Sequence, residues 1–95
     1  MQFLFAMRVK HDATPVTNEQ RAMEVAYVKE KYATDTIRQI WTRADLPGAC
    51  LLIEAADESA ARASVEALPL MLAGKLEIQM LVPLLPYRGF AVAGQ

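Results

Sequence analysis

Lys75-Leu76-Glu77-Ile78-Gln79-Met80-Leu81-Val82 alternates polar and apolar side chains and runs on into Pro83-Leu84-Leu85-Pro86-Tyr87. A period of two marks a β-strand, whose successive side chains point to opposite faces of a sheet. This strand comes last in an order that reads strand, helix, strand, strand, helix, strand. That order predicts one α+β domain over residues 1–95, a ferredoxin-like βαββαβ sandwich in which two helices cover one face of a four-stranded antiparallel sheet. Residues 88–95, with Phe90 and Val92 among small side chains, read as a tail.

Working backwards, Asp57 caps a second helix from Glu58 to about Leu68, with Ala61, Val65 and Leu68 inward. Pro69 ends it, and Leu70 to Gly74 leads into the last strand. The strand before that helix, Ala49 to Ala55, is apolar on both faces and so belongs in the middle of the sheet. Asp45-Leu46-Pro47-Gly48 is a turn signal. It joins this strand to Thr36–Arg43, where alternation puts Ile37, Gln39, Trp41 and Arg43 on one side. The first helix begins at Thr17, whose spacing to Gln20 fits a capping box, and continues to about Tyr32. Ala22, Val25, Ala26 and Ala33, with the stem of Lys29, form its expected inner stripe, widened by Val28 and Tyr32. The first strand, about Gln2 to Lys10, directs Phe3, Phe5, Met7 and Val9 to one face and Leu4 and Ala6 to the other. His11 to Pro15 form the loop that follows.

These strands carry more apolar surface than two short helices can hide. Phe3, Phe5, Met7, Leu51, Ile53, Ile78, Met80 and Val82 are expected under the helices. Leu4, Ala6, Cys50, Leu52 and Leu81 are expected on the opposite face, with no cover from their own chain. Such a face amounts to several hundred Å2, more than a monomer ordinarily leaves exposed and apolar. At ~25 cal/mol per Å2, hiding it contributes on the order of 10 kcal/mol before the costs of association. A second copy of the chain is the expected cover, giving a homodimer or a higher assembly.

Composition narrows the function. The chain of 95 residues is 54% hydrophobic and 22% charged, with ten basic residues against eleven acidic and a net charge of -1. No basic block or stripe is present to neutralise phosphates, so nucleic acid is not an expected partner. Apolar runs are far shorter than the ~20 residues of a membrane helix. The first residues read as a strand rather than as a signal peptide, and Cys50, the sole cysteine, reads as a buried reduced thiol. Both point to the cytoplasm. One histidine and one cysteine, far apart, give no basis for a metal centre, and no cofactor is expected.

Four stretches carry a resemblance. Arg21-Ala22-Met23-Glu24-Val25-Ala26-Tyr27, Ile40-Trp41-Thr42-Arg43, Leu68-Pro69-Leu70 and Val82-Pro83-Leu84 are similar, in order and spacing, to muconolactone delta-isomerase. The resemblance spans most of residues 17–86 and implies a dimeric α/β barrel, in which the sheets of two copies face each other. It also implies further assembly into a decamer. The chain departs from that family at Pro47-Gly48-Ala49-Cys50-Leu51 and at Met71-Leu72-Ala73-Gly74, which implies a substrate other than muconolactone.

Moving a lactone double bond requires one group that takes a proton alpha to a carbonyl and returns it elsewhere, and a carboxylate or histidine can do so without a cofactor. Glu24 is the carboxylate the resemblance supplies, flanked by Tyr27. His11, next to Asp12, is the other candidate for proton transfer. Arg43 can grip a substrate carboxylate bidentately and Trp41, two residues away, can form an apolar wall. Arg38 offers further positive charge. The sequence thus predicts a cofactor-independent, isomerase-like enzyme acting on a lactone or oxygenated organic acid in a pocket between subunits. The alternatives on the same fold are a non-catalytic small-ligand-binding or assembly protein and a cofactor-free oxygenase.

Overall fold

The computed structural model describes residues 1–90; Val92 lies outside them. The first strand, β1, spans Gln2–Val9 and leads through a loop to helix α1, Asn18–Ala33. Strands β2, Ile37–Thr42, and β3, Gly48–Glu54, form a hairpin. Helices α2, Glu58–Glu66, and α3, Pro69–Leu72, precede β4, Leu76–Leu84, and Arg88–Phe90 form a 3-10 turn. The sheet order is β2-β3-β1-β4 with every neighbour antiparallel. This is the ferredoxin-like α+β arrangement, and the two apolar strands β1 and β3 occupy its centre.

Both expected helix starts form. Thr17 Oγ1 accepts from the Gln20 N–H at 3.0 Å while Gln20 Oε1 accepts from the Thr17 N–H at 3.0 Å, and Asp57 Oδ1 accepts from the Ala60 N–H at 2.8 Å. Pro69 behaves differently from its expected role. It stops α2, but its fixed φ also suits the first position of a helix, and it opens the one-turn α3. Gly74, at φ 71°, closes that turn in a left-handed conformation that favours glycine.

The core lies between the sheet and the helices. Phe3, Phe5, Met7, Leu51 and Ile53 meet Ala61, Val65 and Leu68, with Ile37 and Leu76 at its margins. Two irregularities change which side chains join it. In β4 the pairing with β1 passes from Ala6↔Met80 to Met7↔Ile78, so Gln79 is an extra residue in the ladder. Such a bulge reverses the alternation beyond it. Leu81, opposite Phe5, therefore packs against the core, and Met80 and Val82, opposite Ala6 and Leu4, turn to the uncovered face. This is the reverse of the simple period-two expectation. In β2 a similar shift between Ile37 and Gln39 puts Ile37 and Ile40 on the core side and Gln39 and Trp41 on the other.

Helix α1 also turns a different face inward from the one expected. Gln20, Glu24, Tyr27, Val28 and Lys31 are its partly buried residues, while Ala22, Val25, Ala26 and Lys29 are exposed. Apolar spacing favours the exposed stripe, and the polar contacts of the other override it. Tyr27 donates its hydroxyl hydrogen to the Ser64 carbonyl at 2.7 Å, and Glu24 Oε1 accepts from the Leu70 N–H at 3.1 Å.

Lys75 is buried, and its ammonium group donates to the carbonyl oxygen of Thr14 at 2.9 Å and to the Thr14 hydroxyl. With Lys10 N–H bound to the Lys75 carbonyl at 2.9 Å, it ties the loop after β1 to the root of β4.

The bulge makes a measurable distinction. Leu81→Ala should lower unfolding free energy by about 2 kcal/mol or more, and Met80→Ala by under about 1 kcal/mol. Urea unfolding of dilute protein checks this, and the opposite ranking would restore uninterrupted alternation in β4.

Candidate functional site

The uncovered sheet face has an apolar middle and a polar end. Leu4 and Ala6 on β1, Cys50 and Leu52 on β3, Trp41 on β2, and Met80 and Val82 on β4 lie side by side there. Trp41 is 47% and Met80 46% exposed, because no element among the described residues packs on this side. At the end nearest the β2–β3 hairpin the side chains become charged. Arg8 pairs across the strands with Glu77, Nε to Oε1 at 2.5 Å.

Arg43 dominates this end. Its Nε donates to Asp45 Oδ1 at 2.9 Å and its Nη2 to Asp45 Oδ2 at 2.7 Å. Nη1 turns the other way and donates to the Met7 carbonyl at 3.4 Å and to Gln79 Oε1. An arginine on the outer strand β2 reaches β1 and β4 because the intervening β3 residue is Gly48. A Cβ there would lie 2.1 Å from the Met7 oxygen, so the close approach of β3 to β1 requires glycine. Only 13% of the Arg43 side chain is exposed, against 65% for Asp45. The hydrogen bond from Arg43 holds the Asp45 carboxyl below the usual aspartate range, and the same bond raises the arginine.

His11 is exposed and lines a shallow cleft of about 360 Å3 with Arg8, Val9, Leu46 and Pro47. The loop holding it is well fixed. Val9 N–H binds the Pro47 carbonyl at 2.9 Å, and Ala13 N–H binds the Lys10 carbonyl at 3.0 Å, closing a turn around His11 and Asp12. His11 and Arg43 therefore border the same hairpin, His11 through Leu46 and Pro47 and Arg43 through Asp45.

Glu24 and Tyr27 sit elsewhere, in the helix layer on the other side of the sheet. The N-terminus of α3 has no side-chain cap of its own, since Leu68 occupies that position. Glu24 reaches across from α1 to satisfy the Leu70 N–H. Burial pushes its carboxyl above the ordinary glutamate range, and the Leu70 hydrogen bond opposes that push. Burial likewise raises the Tyr27 hydroxyl, helped by the charges of Glu30 and Glu24. Arg38 lies at the far end of β2, where its charge reaches Glu54; that carboxyl is held low first by the amino group of Met1 and, less strongly, by Arg38.

The six residues singled out in the sequence thus fall in three places. Trp41, Arg43 and His11 gather about the hairpin end of the sheet, Glu24 and Tyr27 share the helix layer, and Arg38 stands apart. Asp45, Gln79 and Glu77 belong to the hairpin-end group and carried no functional signal in the sequence. Asp45 read as a turn residue, and Gln79 and Glu77 as the polar half of a strand. Among the described residues no three His, Cys, Asp or Glu side chains come together as a metal site, and no helix is long and apolar enough to cross a membrane.

No protein-family model and no curated sequence matches the chain. Solved structures do. The 5-chloro-2-hydroxyhydroquinone dehydrochlorinase of Burkholderia phenoliruptrix AC1100, solved in complex with 2,5-dihydroxybenzoquinone, superposes with a TM-score of 0.72 over 88% of this chain and 93% of its own, at 20% identity. A muconolactone isomerase superposes with a TM-score of 0.72 over 88% of each chain, also at 20% identity. The chain has the muconolactone isomerase fold.

Glu24 supplies a prediction with a defined sign. A carboxyl raised in the folded state binds its proton more tightly there than when unfolded, so raising the pH above the ordinary glutamate range costs stability. Glu24→Gln keeps an oxygen for the Leu70 N–H and removes the charge. Its stability relative to the parent should therefore be more favourable at pH 7 than at pH 4, measured by urea unfolding. Glu24→Ala should cost about 0.5–2 kcal/mol, the worth of a helix cap. Equal pH profiles for parent and Glu24→Gln would remove the desolvation account.

Proposed function

We propose that the chain is a cofactor-independent small-molecule enzyme that moves protons on an unsaturated lactone or oxygenated ring acid, in a pocket at the hairpin end of the open sheet face. The observation that carries this reading is Arg43, held by Met7 and Gln79 on the same face as Trp41, a face that the described residues leave uncovered. The fold likeness supports the reaction class. One of the two similar enzymes is a muconolactone isomerase and the other a dehydrochlorinase of a chlorinated hydroxyhydroquinone. Moving a double bond takes a proton from one carbon and returns it to another, and loss of HCl takes a proton as chloride leaves. Both need a proton acceptor, and neither needs an external oxidant.

In this reading Arg43 grips a carboxylate through its planar fork and Trp41 forms the wall against the ring. His11 carries the proton, since an imidazole nitrogen can accept a proton and return it. A second copy packed sheet to sheet hides Met80, Val82, Leu4 and Leu52 and turns the shallow hairpin-end cleft into a closed pocket. Excluding water there strengthens the hold of Arg43 on its anion.

Glu24 supports a second site, because its raised carboxyl lies in the helix layer, where an apolar notch lined by Gln20, Met23, Pro69, Leu72 and Ala73 opens between α1 and α3. The first reading is preferred, since that notch brings no cation to hold an anionic substrate.

The deciding experiment is deuterium incorporation from D2O into a panel of unsaturated lactones and enol acids, followed by NMR. His11→Gln should slow exchange about 10²- to 10⁴-fold, the usual worth of a general acid–base. Arg43→Met should lower kcat/KM by about 10-fold or more. Glu24→Gln should leave exchange unchanged; if it alone abolishes exchange, the helix-layer site is the right one. Binding without exchange would make the chain a ligand carrier, and consumption of dioxygen with a phenolic substrate would make it an oxygenase.

Assembly has its own check. Sedimentation over a hundredfold range of concentration should give a dimer or larger species, and Leu52→Asp should shift it toward the single chain. A parent protein that stays monomeric throughout would remove the shared pocket.

A further inference from the structure

We infer that Asp45 is a built-in stand-in for the substrate's carboxylate: it occupies the binding edge of Arg43 in the free protein and must be displaced when ligand binds. This rests on the reading of Arg43 as the substrate grip and adds a carboxylate requirement and a competitor to it.

The argument is one of hydrogen-bond geometry. A guanidinium has five donors in a fixed plane, and its Nε and Nη2 edge matches the two oxygens of a carboxylate. In Arg43 that edge faces Asp45, at 2.9 and 2.7 Å, one oxygen to each nitrogen. The opposite corner, Nη1, is held by the Met7 carbonyl and Gln79 Oε1. These two acceptors fix the plane without help from Asp45, so the fork keeps its aim when Asp45 leaves.

The two partners are not equally anchored. Arg43 is almost fully covered and spans to β1 and β4, whereas Asp45 is 65% exposed on the hairpin turn. The remaining side-chain contact of Asp45 is Oδ1 with the Leu46 N–H at 3.0 Å, a local bond of the turn itself. A solvent-facing carboxylate of this kind holds its cation only weakly. Removing it exposes a preset carboxylate site whose neighbour on the same face, two residues back along β2, is the indole of Trp41. The ligand class that fits is a planar carboxylic acid with an unsaturated or aromatic body. Gln79 is a positioning residue in this scheme, the extra residue of the β4 bulge whose amide oxygen accepts from Arg43 Nη1.

Trp41 is the sole tryptophan of the chain, so its fluorescence reports on this site directly. Benzoate is the probe, titrated against the parent chain and four variants. Asp45→Asn retains an oxygen for the Leu46 N–H and removes the competing charge, and it should tighten benzoate binding about 3- to 10-fold. Glu66→Gln removes one negative charge from α2, in the helix layer, and should leave the affinity unchanged. Arg43→Met should abolish the response in the parent and in the Asp45→Asn background. Equal or weaker affinity in Asp45→Asn would overturn the stand-in role, as would the same gain from Glu66→Gln. If Asp45→Asn has no effect while Arg43→Met still abolishes binding, the Arg43 grip survives and only the competition falls. Benzoate binding that persists in Arg43→Met, or no response in any variant, would remove the Arg43 site altogether.

Discussion

The three helices cover one side of a four-stranded sheet, and both central strands are apolar on both sides. That mismatch governs the rest of the molecule. Phe3, Phe5, Met7, Leu51 and Ile53 meet the helices and make a small dry core. Leu4, Leu52, Met80, Val82 and Trp41 have no such partner among the described residues. A chain of 95 residues has little stability to spare, and a face of this kind is a large reserve of association energy. The same face ends in charged residues at the hairpin, so covering the apolar middle also encloses the polar end. The proposed assembly and the proposed binding site are in this way two consequences of one uncovered surface.

The bulge at Gln79 connects the core to that site. Uninterrupted alternation in β4 would send Met80 and Val82 inward and leave Leu81 outside. The extra residue instead gives the core Leu81 and gives the open face Met80 and Val82, next to Ala6 and Leu4. It also leaves Gln79 where its amide oxygen accepts from Arg43. Bulges are commonly found where a strand must re-aim a side chain, and here the re-aimed side chains are Met80, Leu81 and Val82, which follow the residue that accepts from Arg43.

The fold was legible in the sequence because it depends on periodicity and on capping residues. The order of elements, the central place of β3, the Thr17–Gln20 capping box and the Asp57 cap all follow from such patterns. What the patterns lacked was any trace of the two register shifts. A bulge adds one residue to a ladder without altering the composition of the strand, so Leu81, Met80 and Val82 were each assigned to the wrong face and Ile37 was grouped with Gln39 and Trp41, which lie opposite it. The inner stripe of α1 was misread for a related reason. The more apolar stripe of that helix faces outward, and the inward choice goes with hydrogen bonds that join Tyr27 and Glu24 to distant backbone atoms, which no local pattern encodes. Of the candidate site, the pairing of Trp41 with Arg43 was visible because it is local. The contributions of Asp45, Gln79 and Glu77 were not, since a polar residue in a turn or strand ordinarily needs no partner beyond water.

Glu24 shows how tertiary context reassigns a residue that looks chemical. A four-residue helix opening on Pro69 has free backbone donors at its start and, with Leu68 in the capping position, no side chain of its own to satisfy them. Glu24 satisfies one from a neighbouring helix. Burial then raises its carboxyl, and a raised carboxyl in a small protein is also the signature of an acid–base catalyst. The two meanings separate on what surrounds the group. A catalytic carboxyl must share its cavity with something that holds the substrate, and the notch between α1 and α3 has only Gln20 as a polar lining residue. At the hairpin end an arginine with a fixed plane, an indole and a histidine on a pinned loop surround one turn. Chemistry on an anionic substrate needs a cation to hold it before it needs an acid to protonate it, and for the proposed reaction that requirement favours Arg43 over Glu24.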